Sequence, residues 1–79
     1  MPTIINKDGF RVIIYPDDHL PPHVHVIKND EEVKIYLGNN DIPPSIIEVW
    51  MNKKSTKKAM QIVMENQEIL LKAWDDIHG

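Results

Sequence analysis

Asp17-Asp18-His19-Leu20-Pro21-Pro22-His23-Val24-His25-Val26 is the stretch from which the rest of the chain can be read. Three of the four histidines fall within its seven residues 19–25. The paired prolines disfavour helix and hold the backbone extended just ahead of His23. His-Val-His-Val then alternates with the period of two that a half-buried strand needs. The reading is an acidic corner, a rigid extended approach, and a strand. His23 and His25 lie on one side of that strand, Val24 and Val26 on the other.

Working outward, Asn29-Asp30 marks a turn, and residues 32–37 alternate again. Val33, Ile35 and Leu37 share one face, and Lys34 and Tyr36 the other. So short a connection implies an antiparallel neighbour. Upstream, Asp8-Gly9 separates a β-prone piece at residues 2–6 from Phe10 to Tyr15, the pattern of a hairpin. Downstream, Gly38-Asn39-Asn40-Asp41 ends the third strand and Pro43-Pro44 blocks regular structure. Ile46 to Met51 reads as a short edge strand or an ordered loop with Trp50 packed beneath it. From Ser55, with Ser55 or Thr56 as N-cap, an apolar stripe runs through Ala59, Ile62, Val63, Ile69, Leu70, Ala73, Trp74 and Ile77. Its one polar interruption is Asn66. Either one helix spans about 55–78, or Asn66 marks a kink and a second helix.

The expected fold is α+β: an antiparallel sheet of three to five strands at about residues 3–51. One long or kinked C-terminal helix packs on one face. The helix-side face is Phe10, Val12, Ile14, Val24, Val26, Val33, Ile35 and Leu37. The opposite face carries Arg11, Ile13, Tyr15, His23, His25, Ile27, Lys34 and Tyr36, a mixture better suited to a partner or ligand than to water. Trp74 is the expected anchor of helix to sheet, Trp50 a second core aromatic, and Met51, Met60 and Met64 gap-fillers.

At 79 residues the chain is expected to be one domain, with its site on an open face or an edge. The absence of cysteine excludes disulfides and thiolate metal sites. No apolar run reaches the length of a membrane span, and no basic-then-apolar leader opens the chain, so a cytoplasmic location is the expectation. A net charge of −3 counts against general nucleic-acid binding.

Three chemistries fit the histidine stretch. His23 and His25 can converge on one divalent ion, with Asp18 or His19 as a third ligand. Alternatively, imidazole with Tyr15, Arg11 and Lys34 has the parts of a metal-free ribonuclease, because imidazole exchanges protons near neutrality. Asp17 and Asp18 would repel phosphate in that case. Thirdly, Arg11, Tyr15, His23, His25, Lys34 and Tyr36 can form a contact face for a second small protein or a second copy. Lys53, Lys54, Lys57 and Lys58 are a further candidate patch for an anionic partner, and oppose the dipole of the helix they begin.

Met1-Pro2-Thr3-Ile4, the Pro21-Pro22-His23-Val24-His25-Val26 core and the closing Asn66-Gln67-Glu68-Ile69-Leu70-Leu71-Lys72-Ala73-Trp74 together resemble a bacterial family, domain of unknown function 4160. The resemblance covers essentially the whole chain and says least about residues 38–54. It implies a short α+β protein, often encoded beside a second small gene, as in a toxin–antitoxin-like pair. It implies no established reaction.

Overall fold

The computed structural model describes residues 3–78; Met1, Pro2 and Gly79 lie outside it. Five strands form one antiparallel sheet in chain order: β1 (Thr3–Lys7), β2 (Phe10–Ile13), β3 (His23–Lys28), β4 (Glu31–Tyr36) and β5 (Ser45–Trp50). Two helices follow, α1 (Lys53–Glu65) and α2 (Gln67–His78). The fold is therefore α+β, with the helices packed on one face of the sheet.

The turns follow from residues that tolerate left-handed backbone. Asp8 and Gly9 take φ of 54° and 83° between β1 and β2, and Asn29 takes 55° between β3 and β4. The two-residue turn at Asn29-Asp30 sets the next register, pairing Lys28 with Glu31 and so His25 with Lys34 and His23 with Tyr36. β5 pairs with β4 and is one of the two edge strands, β1 being the other, with a bulge where the register shifts between Lys34 and Ile35.

The eight residues assigned to the helix-side face are all buried, and Ala59, Ile62, Val63, Leu70 and Trp74 close over them. Trp74 is the expected anchor, 2% exposed. Removing side chains of this size from water contributes about 1.5–3 kcal/mol each.

Of the two helix alternatives the kink at Asn66 with a second helix is the one found, and the N-cap, Ile69, Trp50 and Met64 are corrected. The N-cap is Asn52, not Ser55 or Thr56. Its side-chain oxygen accepts from the Ser55 N–H at 2.8 Å, and its amide donates to Glu31 at 3.1 Å, fastening the helix start to the β3–β4 hairpin. The apolar stripe breaks at Asn66, which caps α1 and donates its amide to the Ile62 carbonyl at 2.7 Å. That break resets the helical phase, so Ile69 faces solvent. Trp50 is 57% exposed rather than core, because it lies on the face away from the helices, cross-strand from Glu32. Met64 is exposed as well, while Met51 and Met60 do pack against the core.

Between β4 and β5, Gly38 at φ 68° lets the chain double back so closely that a Cβ there would overlap the Ile42 carbonyl oxygen. Gln67, the first residue of α2, donates from its amide nitrogen to the carbonyls of Leu37, Asn39 and Ile42 at 2.7, 2.9 and 3.2 Å.

Candidate metal centre

The prolines deliver the chain into β3 so that His23 and His25 emerge on the side opposite Val24 and Val26, with His23 at the end nearest α2. The preceding loop folds back over them. Asp18 N–H donates to the Tyr15 carbonyl at 3.1 Å, and Tyr15 N–H donates to the Asp18 carboxylate at 3.0 Å. This reciprocal turn fixes the carboxylate over the rings. The face is therefore not open here. Ile13 is fully buried and His25 is 8% exposed, with the Tyr15 ring edge-on to His25 at 4.8 Å.

Asp18, His23 and His25 each offer one donor atom within 4.8 Å of the others. His25 Nε2 lies 3.4 Å from either Asp18 oxygen, and His23 Nε2 lies 3.6 Å from Asp18 Oδ1. The other ring nitrogens are committed. His25 Nδ1 contacts Glu32 Oε2 at 2.9 Å, and His23 Nδ1 contacts the Pro21 carbonyl at 3.0 Å. A carbonyl and an ionised carboxylate can only accept, so each Nδ1 carries the proton. In the neutral rings both Nε2 atoms are then lone pairs. Three electron-rich donors thus face one another, an arrangement that could hold a cation.

The Asp18–histidine separations are longer than the about 2.7–2.9 Å of a short charge-assisted N–H···O bond. Donors arranged tetrahedrally about zinc at about 2.0–2.1 Å are spaced roughly 3.3–3.4 Å apart, close to the Asp18–histidine distances. Glu32 behind His25 and the Pro21 carbonyl behind His23 are of the kind that hold an imidazole in one tautomer at metal sites.

The other candidate residues are placed as follows. His19 is outside the donor cluster. It is exposed and lines a cleft of about 490 Å³ with Asp18, Leu20, Trp74, Asp75 and His78. Lys34 is cross-strand from His25 but pairs with Glu48 at 3.5 Å, and Tyr36 is cross-strand from His23. Arg11 is exposed, two ladder pairs from His25, and not part of the cluster. Of the lysine patch, Lys58 pairs with Asp8 at 3.5 Å, while Lys53, Lys54 and Lys57 accompany it in the first turns of α1. His23 also reaches the helix layer, its ring 5.4 Å from Trp74, on which His78 stacks at 3.8 Å.

Glu32 was not among the residues singled out from sequence. The signal was present, since a two-residue turn at Asn29-Asp30 places it diagonally from His25 on the same face. Among the described residues no helix is long and apolar enough to cross a membrane.

No curated protein and no solved structure matches the chain. Residues 9–75, from the first turn through most of α2 and including every residue of the donor cluster, match one family pattern. The chain belongs to the family described as Domain of unknown function (DUF4160).

Proposed function

We propose that this protein binds one divalent metal ion through Asp18, His23 and His25. The observation that carries the reading is the convergence of three lone-pair donors whose other polar atoms are already committed. Two imidazoles and one carboxylate without thiolate favour a borderline ion, zinc first, then nickel, iron or manganese. Asp18 is the third ligand here, and His19 has no part in it. The chain's own contribution is preorganisation. The Tyr15–Asp18 turn holds the carboxylate, and Glu32 and the Pro21 carbonyl hold the rings.

The test is metal analysis of dialysed protein, followed by zinc titration. One ion per chain is expected, lost in His23→Ala and His25→Ala. Wild-type protein that neither retains nor takes up an ion, and whose melting temperature ignores zinc, would end the reading.

A second reading is an interaction module acting with another small protein, as in a toxin–antitoxin-like pair, or with a second copy. What supports it is the exposed apolar side chains of the β5 edge strand, Ile46 and Val49 on one face and Trp50 on the other. Exposed apolar groups on an edge strand invite a partner. Co-purification with a neighbouring gene product, weakened by Trp50→Ser, is the outcome that reading requires.

A further inference from the structure

We infer that the proposed metal centre is open on one side and takes a small neutral or cationic ligand, bearing a nitrogen or oxygen donor, from the cleft beside Asp18. The inference rests on the metal reading above. Among the described residues the donor cluster holds three ligands, one fewer than a closed tetrahedral site. The direction of the missing fourth follows from the clefts that touch the cluster. One, lined by His25, Glu32, Lys34 and Trp50, lies at the Nδ1 edge of His25, where Glu32 stands, and so faces away from the donor atoms. The other, about 490 Å³, is lined by Asp18 itself and by His19, Leu20, Trp74, Asp75 and His78, and neither of these two histidines belongs to the donor cluster. It meets the cluster on the carboxylate side, toward which both Nε2 atoms point.

That cleft also sets the class of ligand. A divalent ion is already balanced by Asp18 and by Glu32 behind His25. Asp75 adds a further negative charge, and the lining has neither lysine nor arginine, its only basic side chains being His19 and His78, which carry no permanent charge. Phosphates and other polyanions are therefore disfavoured, because no fixed cation repays their desolvation. Leu20, 77% exposed at the mouth, and Trp74 supply an apolar wall for a flat or aliphatic body.

Full-length protein loaded with cobalt(II) tests this by visible absorption, with imidazole and inorganic phosphate as the two probes. Imidazole should shift the cobalt bands saturably, and phosphate should leave them unchanged. Leu20→Trp, which fills the mouth from an exposed position, should bind cobalt as wild type does yet weaken imidazole about tenfold or more. Failure of wild type to bind cobalt would overturn the metal centre itself. Bound cobalt with no response to imidazole would overturn only the open position. A phosphate response at lower concentration than imidazole would overturn the ligand class. Unaltered imidazole binding in Leu20→Trp would overturn the cleft as its route.

Discussion

Replacing Gln67 by leucine should be among the most damaging single changes outside the hydrophobic core. The Gln67 amide offers two protons to three carbonyl oxygens, those of Leu37, Asn39 and Ile42. Leucine keeps the bulk and removes both donors. The Leu37 bond is partly buried, so its carbonyl would lose its partner without full access to water, at about 1–2 kcal/mol. The Asn39 and Ile42 carbonyls are on the exposed side and can rehydrate, at about 0.5 kcal/mol each. The sum is about 2–3 kcal/mol, equivalent to a fall in melting temperature of roughly 10–20 °C for a domain of this size. Urea unfolding followed by circular dichroism reads the change directly, with an unchanged m-value expected. Gln67→Glu should be worse still, because a carboxylate would face three carbonyl oxygens. Gln61→Ala is the control. Its long 3.5 Å contact with Glu65 is exposed, and its loss should stay within about 0.5 kcal/mol. A Gln67→Leu protein within that same margin would refute the reasoning.

Other outcomes follow from the same contacts. Glu32→Leu should retain one metal site but weaken zinc about 10–100-fold by calorimetry, since it frees His25 Nδ1; unchanged affinity would remove Glu32 from the centre. Saturating zinc at 100 times its dissociation constant should raise unfolding free energy by about 2.7 kcal/mol, reversed by a chelator and absent in His25→Ala. Gly38→Ala should destabilise by more than about 2 kcal/mol in urea, because the backbone is left-handed there and the Pro43 carbonyl oxygen lies 2.9 Å from the added carbon, with the Ile42 oxygen closer still. Asn52→Ala should cost about 1–2 kcal/mol, since it removes both the cap on Ser55 and the amide bond to Glu31.

The sheet was legible because strand alternation is a local signal. Phe10, Val12 and Ile14, and likewise Val33, Ile35 and Leu37, declare one face without reference to anything distant. The same period placed His23 and His25 correctly on the other face. What alternation could not convey was the return of Asp18 and Tyr15 over the rings, which made an expected open surface a covered one. Nor could it distinguish Asn52 from Ser55 and Thr56 as cap, since all three are good capping residues; the choice follows from the bond to Glu31, 21 residues away. Gln67 was invisible for the same reason. Its acceptors lie 25–30 residues back and are backbone atoms, which carry no residue-type signature. Trp50 was misread because size and aromaticity argue for burial, whereas its position on an edge strand, cross-strand from Glu32, turns it to solvent.

The chain-order arrangement of the five strands has a consequence for how the molecule comes to be. Each ladder joins segments adjacent in the chain, so little loop-closure entropy opposes any pairing, and topology of this kind favours rapid folding. All three donors lie between residues 18 and 25, and Glu32 belongs to the hairpin that His23 begins. The donors of the proposed centre are thus encoded in one short run of chain, and β3, which carries two of them, pairs only with its chain neighbours. An ion captured by that run would act as a template for the rest of the sheet.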